Sequence, residues 1–249
     1  MKRARRSVDL TPAALVRAGV TGALAFSPEA GALRSWTIAM RGDAMPGEQE
    51  PAPDPEEETQ GPVAVVRVYG PLRQRATWEV CEGMTDGYDA IEARWMAALA
   101  PGVTDLALIV DSPGGEVAGG VPAMRRMRAA ADKAGVRVWT AADECATSMG
   151  YMLLCLGDKG RVHCPALGMT ASVGVVTMIR SYAAALEKEG MDVRVVRSGD
   201  RKCKPSGVEP IEPADVTAAQ EMVDAYAASL GEWVAERRGV EAKDVMALE

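Results

Sequence analysis

The segment Asp111-Ser-Pro-Gly-Gly115 places two adjacent glycines directly after the apolar run Leu106–Val110. A short apolar run that ends in glycines is typical of a buried strand that turns sharply into the next element. From residue 62 onward, similar runs alternate with segments in which apolar residues recur at helical spacing. This alternation predicts βαβ units on a mostly parallel sheet, and therefore an α/β fold.

The alternation also predicts where individual elements lie. The predicted strands are Val63–Tyr69, Leu106–Val110, Val136–Thr140 and Val193–Val196. The predicted helices are Thr85–Leu99, Met149–Leu156, Tyr182–Glu189, a long helix that begins at Pro213, and one with the inner face Val117, Val121, Met124, Met127 and Ala131. In open parallel sheets, sites form at the carboxyl ends of strands, which is where Gly114, Gly115 and Ser148 are expected.

The sequence before residue 62 differs from the rest of the chain. Residues 1–42 are interpreted as an N-terminal extension with a short helix at Thr11–Ala25, in which Pro12 suits the first turn. Residues 43–61 are rich in proline and glutamate, so they predict a flexible acidic linker. Residues 62–249 are predicted to form the α/β domain.

Composition excludes several classes of function. The net charge of −7 excludes nucleic acid as the main partner, because phosphate binding needs a basic surface. With one histidine and five cysteines that lack CxxC spacing, we expect no metal site, no cofactor and reduced thiols in an intracellular protein. The uncharged stretch 162–179 contains Pro165, Gly168 and Gly174, so we expect buried strands and turns rather than a membrane anchor, and a cytoplasmic location.

Ser148 is the candidate nucleophile. It lies in Ala146-Thr-Ser-Met-Gly-Tyr151, at a turn of small residues before an apolar helix. A serine hydroxyl needs a neighbouring base to take its proton. One candidate is His163, but it sits in a predicted strand, where a single histidine is more often structural. The other candidate is a lysine made neutral by desolvation, either Lys202 or Lys204. The alternative for Ser148 is a small residue that permits tight packing of helix on sheet.

Four motifs in order carry a family resemblance: Asp111–Val117, Ala146–Tyr151, Thr170–Val175 and Ser198–Lys202. Together they resemble the signal peptide peptidase A-type serine peptidases, which share the Clp-protease/crotonase fold. The strand Val63–Tyr69 with Gly70-Pro-Leu72, and the segment Asp86–Ile91, are most similar to the phage protein C-like capsid peptidases. The resemblance covers roughly residues 62–245.

The resemblance implies a catalytic dyad. Ser148 would be the nucleophile, and Lys202 would be the general base that matches the lysine of the family's Ser-Gly-x-x-Lys stretch. Lys204 remains a second candidate for the base, since the segment around it is more basic than is usual in the family. Ser172 matches a serine that orients the lysine amine, and its alternative is a simple buried hydroxyl.

The resemblance also implies how substrate binds. The backbone N–H groups of Gly114 and Met149 would stabilise the oxyanion. The strand that follows Gly115 would pair with an extended peptide by strand addition, so the expected partner is a protein or peptide substrate. No cofactor or metal is implied.

The family similarity favours a serine endopeptidase of phage prohead maturation that digests capsid scaffold protein and forms a homo-oligomer. Two alternatives stay open: a signal-peptide-degrading member of the same family, and a catalytically inactive structural subunit of the same fold. Clp protease itself fits less well, because it needs a histidine where Ala171 and Ser172 stand. Acyl-CoA chemistry of the crotonase type shares the oxyanion amides, but Ser148 and a lysine base favour peptide hydrolysis. The family pattern continues with a strand and a helix beyond Glu249, and we expect the domain to lack them.

Overall fold

The computed structural model of this chain describes residues 24–26, 58–60, 62–79 and 83–245. The chain divides into two compact units, which are described separately. The larger unit comprises Leu24–Val176 and Ala225–Glu249, and the smaller unit comprises Met1–Ala23 and Thr177–Asp224. The predicted α/β domain of residues 62–249 therefore contributes to both units.

The described residues form strands and helices in the alternating order that the sequence predicts. The strands are β1 (Leu24–Phe26), β2 (Glu58–Gln60), β3 (Val63–Tyr69), β4 (Leu72–Arg73), β5 (Thr77–Glu79), β6 (Gly83–Gly87), β7 (Asp105–Ser112), β8 (Gly114–Glu116), β9 (Arg137–Thr147), β10 (Val162–His163) and β11 (Met169–Ala171). The helices are α1 (Tyr88–Ala98), α2 (Gly120–Ala134), α3 (Met149–Leu154), α4 (Ala183–Lys188), α5 (Pro213–Arg238) and α6 (Ala242–Val245).

The main sheet of the larger unit is mostly parallel. Its strand order is β10-β9-β7-β3-β2, and β11 also pairs with β9. Strands β3, β7, β9, β10 and β11 pair in parallel, whereas β2 pairs with β3 antiparallel. The prediction of a mixed α/β fold with a mostly parallel sheet is confirmed.

One face of this sheet packs on the core. Alternate residues are buried along β3 and β7, as expected when one face of a strand is covered. Helices α1 and α2 contribute Ile91, Trp95, Met124 and Met127 to that core, and the indole N–H of Trp95 donates to the Met127 carbonyl at 2.8 Å. Burying side chains of this size stabilises the fold by about 1.5–3 kcal/mol each. The predicted inner face of α2 is buried throughout: Val117, Val121, Met124, Met127 and Ala131.

A second, smaller sheet carries the glycine turn. Its strand order is β1-β8-β4-β6-β5, in which β8 pairs with β4 in parallel and with β1 antiparallel. Gly115 of β8 lies so close to β4 that a Cβ placed on it would be 2.0 Å from the Leu72 carbonyl oxygen. The position therefore requires glycine because of a close approach between two backbones.

Four predictions of secondary structure need correction. The helix predicted at Thr85–Leu99 begins only at Tyr88, because Thr85, Asp86 and Gly87 belong to strand β6. Val193–Val196 is not a strand, and Val196 is 96% exposed, because the run has no partner strand among the described residues. Leu24 and Ala25, the end of the predicted helix Thr11–Ala25, lie in strand β1, and the rest of that helix lies outside the described residues. Glu58–Gln60, within the predicted linker, forms β2, and residues 43–57 and 61 of that linker lie outside the described part.

The last part of α5 and the short helix α3 pack together within the larger unit. The Trp233 indole N–H donates to the Met152 carbonyl at 3.0 Å, and the Arg237 Nε donates to the Cys155 carbonyl at 3.1 Å. Burial raises the pKa of the Cys155 thiol to about 12, so this group is a neutral core residue. In the described parts of the chain, no helix combines the length and apolar character that crossing a membrane would require.

Candidate active site

The turn between β7 and β8 consists of Ser112, Pro113 and Gly114. Gly114 has φ +100°, a conformation that glycine adopts without the steric cost a side chain would bring. Its N–H donates to the Ser112 Oγ at 3.1 Å, and Ser112 is fully buried. The backbone N–H that is predicted to stabilise an oxyanion is thus bonded to a serine hydroxyl two residues earlier, and an oxyanion would have to replace that hydroxyl as its acceptor.

Ser148 is the single residue between strand β9 and helix α3. Its φ of +53° and ψ of −121° lie in a region that costs a non-glycine residue about 1–3 kcal/mol. Two backbone hydrogen bonds hold it there: its N–H donates to the Ala171 carbonyl at 2.8 Å, and its carbonyl accepts the Met152 N–H at 3.1 Å. The side chain is 2% exposed. Strained residues cluster at active sites, and the role of Ser148 as the nucleophile stays a prediction.

The structure brings the glycine turn and the serine turn together at the carboxyl ends of β7 and β9. The strand register shifts between Val110 and Ser112, so that Ser112 pairs with Ala146. The Thr147 hydroxyl donates to the Pro113 carbonyl at 3.1 Å. Gly150 permits the close approach, since a Cβ on it would lie 2.9 Å from the Ser112 carbonyl oxygen. The two motifs thus meet where the sequence predicts a site.

Met149 is the first residue of α3 and is fully buried. The N–H groups in the first turn of a helix have no acceptor within the helix, so the Met149 N–H has the freedom that an oxyanion donor needs. Its side chain packs against α2, where a Cβ on Gly120 would lie 2.4 Å from the Met149 Cε. This packing fixes the start of α3 and with it the direction of the N–H.

Ser172 follows β11 in the same unit. It has φ +55°, the preceding Ala171 has φ +83°, and the Ser172 side chain is exposed rather than buried. Since the Ala171 carbonyl accepts the Ser148 N–H, Ser172 is one residue away from a direct contact with the Ser148 backbone. Its role in orienting a lysine stays a prediction.

The two candidate lysines lie in the smaller unit. Lys202 is exposed, its backbone N–H donates to the Gly199 carbonyl at 3.1 Å, and within its own unit no described carboxylate pairs with its amine. Lys204 differs, because its Nζ lies 2.5 Å from the Glu212 Oε1. Lys204 would have to give up this ion pair in order to act as a neutral base. The contrast favours Lys202.

Hydrogen bonds and an ion pair stabilise the segment that carries these lysines. Arg197 binds the Glu209 carboxylate, which also accepts a hydrogen bond from the Ser206 hydroxyl at 2.9 Å. The Arg197 hydrogen bond, with a smaller contribution from Ser206, lowers the pKa of Glu209 below its ordinary value. At the start of α5, the Asp215 carboxylate accepts the Glu212 N–H at 3.0 Å, which is the geometry of a capping box.

His163 has a structural environment. It is exposed at the end of β10, and its ring stacks on Trp139 with centroids 5.9 Å apart and planes inclined by 10°.

Among the described residues, no group of three or more histidine, cysteine, aspartate or glutamate side chains is arranged to hold a metal ion. A pocket of about 390 Å³ in the smaller unit, next to α4, is lined by none of the predicted site residues.

Two residues that support the site were not assigned a role from the sequence. Ser112 lies within a recognised motif. A serine two residues before a glycine can accept that glycine's N–H in a serine turn, so the sequence could have suggested this hydrogen bond. Tyr88 is different, because its hydroxyl donates to the Glu116 carbonyl of β8 at 2.5 Å from a distant part of the sequence. Burial, with a smaller effect of Glu116, raises the pKa of Tyr88 well above its ordinary value, so the phenol remains a donor.

The parallel sheet, the glycine turn and the strained serine together form a candidate active site on an α/β fold. Residues 130–248 match the family described as Peptidase family S49, which confirms the family that the motifs predict.

Three curated proteins are similar to this chain. The capsid assembly protease C of Escherichia phage lambda is 32% identical over 168 residues, which is 67% of this chain and 36% of that protein. The head-tail preconnector protein GP5 of Enterobacteria phage P21 is 30% identical over 184 residues, 72% of this chain and 35% of that protein. The probable protease SohB of Haemophilus influenzae is 34% identical over 98 residues, 39% of this chain and 27% of that protein. The chain therefore spans about a third of the length of the relatives that it matches.

Proposed function

We propose that this chain is a serine endopeptidase of phage prohead maturation that uses a Ser148/Lys202 dyad and cuts capsid scaffold protein. The observation that carries the proposal is the strained Ser148 beside the Gly114 turn. The names of the similar phage proteins support a capsid-related protein substrate. The proposal includes the Clp-protease/crotonase superhelix and a location in the host cytoplasm, within the procapsid.

The chemistry follows from the proposed roles. Neutral Lys202 takes the proton from the Ser148 Oγ, which attacks the carbonyl carbon of the scissile bond. The N–H groups of Gly114 and Met149 stabilise the oxyanion, and protonated Lys202 then gives its proton to the leaving amine. Water hydrolyses the acyl-enzyme and restores Ser148.

Self-association is part of the proposal. Among the described residues of the smaller unit, several large apolar side chains are exposed: Met178, Met191, Val193, Val196, Ile211, Val216 and Met222. Exposed apolar surface of this kind is typical of protein interfaces. Contacts between copies of the chain would bury it.

The test is labelling with a serine-reactive fluorophosphonate between pH 5 and 10. We expect the wild type and Lys204→Ala to be labelled and Ser148→Ala to remain unlabelled. The labelling rate of Lys202→Ala should be at least about 100-fold lower than that of the wild type, since general base catalysis contributes 10²–10⁴-fold. The labelling rate of this variant should also no longer rise with pH. Incubation with the scaffold protein of the same phage tests the substrate. Equal labelling of Ser148→Ala and wild type would refute the proposal, and scaffold that stays intact would refute its substrate.

A further inference from the structure

Strand β1 lies where the substrate is expected to lie. The oxyanion strand β8 has two edges: β4 pairs with one, through Leu72 opposite Gly115, and β1 pairs with the other. An extended peptide can add to β8 only at an edge that is free. With both edges taken, an external peptide can pair with β8 only after β1 has left.

The register of β1 places its last residue opposite the predicted oxyanion glycine. The pairing is antiparallel, with Leu24 opposite Glu116, Ala25 opposite Gly115 and Phe26 opposite Gly114. The backbone of β1 therefore runs toward the predicted oxyanion glycine, and its last residue lies opposite that glycine. In a peptidase, the residue opposite the oxyanion donor is the one whose carbonyl is attacked.

The position of β1 in the sequence lets it act as a ligand. Residues 27–57 separate it from β2, and residues 43–57 include the acidic proline-rich stretch that cannot build a core. In the described part of the chain, the three residues of β1 pair with the three residues of β8 alone. A strand this short, separated in sequence from β2 by residues 27–57, can leave the edge without disturbing the order of the main sheet.

We propose that Leu24–Phe26 is an internal ligand of the active site, which occupies the substrate edge of β8 with Phe26 at the oxyanion glycine. The inference rests on the proposed peptidase function and adds two things to it. The first is that the intact N-terminal segment competes with substrate. The second is the chemistry of the peptide that the edge accepts, an extended and uncharged apolar tripeptide such as Leu-Ala-Phe.

The experiment measures binding rather than turnover. The probe is a fluorescein-labelled peptide with the sequence of residues 20–30, titrated into the full-length chain carrying Ser148→Ala, with fluorescence anisotropy as the readout. A second protein adds Ala25→Pro and Phe26→Pro. Successive N–H groups of a strand point to opposite edges, so one of these two prolines removes the N–H that faces β8. A matched control instead adds Glu48→Pro and Gln49→Pro, the same number of prolines in the acidic stretch.

We expect the peptide to bind the Ala25→Pro/Phe26→Pro protein about tenfold more tightly than the Ser148→Ala parent, because a tethered competitor acts at an effective concentration near millimolar. The Glu48→Pro/Gln49→Pro control should match the parent, and a peptide with aspartate in place of its leucine and phenylalanine should not bind. Circular dichroism of all three proteins checks that they are folded.

Equal affinity of the peptide for all three proteins, or no binding to any of them, would overturn the internal ligand. Because Ser148→Ala removes the nucleophile, this result is independent of hydrolysis. Labelling of the wild type by the fluorophosphonate without peptide binding would overturn only the internal ligand. Competitive peptide binding without labelling of Ser148 would overturn only the peptidase function.

Discussion

The two glycines at the turn from β7 to β8 are required for different physical reasons. Gly114 has a positive φ, whereas Gly115 is confined by the backbone of Leu72. The first constraint acts on the chain's own dihedral angle, and the second on the distance between two strands. Changing either residue to alanine therefore tests a different property of the turn.

Gly115→Ala should separate β8 from β4, because the added Cβ would be 2.0 Å from a carbonyl oxygen that belongs to the backbone and cannot rotate away. We expect a loss of about 1–3 kcal/mol in the free energy of unfolding, measured by urea denaturation. Labelling by the fluorophosphonate should fall at least tenfold.

Gly174→Ala is the matched control for stability, since a Cβ there meets no atom within 4 Å and its φ is not positive. Its free energy of unfolding should stay within about 0.5 kcal/mol of the wild type. An unfolding free energy of Gly115→Ala equal to that of the control would mean that β8 and β4 do not approach as closely as described.

At the scale of residues, the sequence predicted the glycine turn and Ser148, because both lie in short local motifs. The positive φ of Ala171 and Ser172 could not be predicted, since alanine and serine ordinarily avoid that region. The Tyr88 hydrogen bond to β8 was also out of reach, because it joins residues that become neighbours only in the folded chain.

At the scale of elements, the starts of β7 and β9 are joined by a charged cluster. The Asp105 carboxylate accepts hydrogen bonds from Arg137, from the Trp139 indole at 3.0 Å and from the Thr104 hydroxyl at 2.7 Å. The Arg137 hydrogen bond contributes most, and the three together hold the pKa of Asp105 well below its ordinary value. The charged carboxylate therefore stabilises the pairing of these strands.

Asp105→Asn should reveal this contribution as a pH dependence. A carboxyl group whose pKa is lower in the folded state stabilises that state above its unfolded pKa of about 3.9, and the contribution is lost as the pH falls further toward the folded value. We expect the variant to unfold at lower urea than the wild type at pH 7, and the difference to shrink below about pH 4.

The control for this measurement is Asp192→Asn. Among the residues that the structure describes, Asp192 forms an ion pair with the exposed Arg194 alone, at 3.1 Å, and exposed ion pairs contribute little. A difference between wild type and Asp105→Asn that is the same at pH 7 and at pH 3 would rule out the charge of Asp105 as the source of the stabilisation.

The success of the element predictions depended on burial. Strands β3, β7 and β9 lie in the main sheet and were visible as β-branched, apolar runs. Val193–Val196 has the same composition but no partner strand in the described part of the chain, so composition alone predicted a strand that does not form. Strands β1 and β2 are three residues long and depend on the strands they join, which leaves no periodic signal.

At the scale of the whole molecule, the residues of the predicted domain 62–249 fall in two compact units. Ser148 belongs to the larger unit and Lys202 to the smaller one. Motif order could not reveal this division, because contacts, not sequence continuity, define compact units. Helix α5 contributes residues to both.

The proposed self-association predicts the effect of a charge in the smaller unit. Val196→Asp should lower the mass of the particle in light scattering after gel filtration, because burying an unpaired carboxylate in an apolar contact is costly. Circular dichroism should be unchanged, since Val196 is 96% exposed. Val240→Asp, at a valine of the larger unit that is 48% exposed, is the control. An unchanged mass for Val196→Asp would exclude this surface from the contact.

If β1 is an internal ligand of the proposed active site, its pairing with β8 has a consequence for the timing of the proposed peptidase activity. An inhibitor that is a separate molecule is diluted along with its enzyme, so the fraction of enzyme that is inhibited falls when both concentrations are low. A segment of the same chain is present once per copy at any dilution. The fraction of chains whose β8 edge is occupied by β1 is therefore independent of the protein concentration. Release would then be triggered by an event on each chain, such as a cut in residues 27–57 or the arrival of a stronger ligand, and not by the number of chains that have gathered.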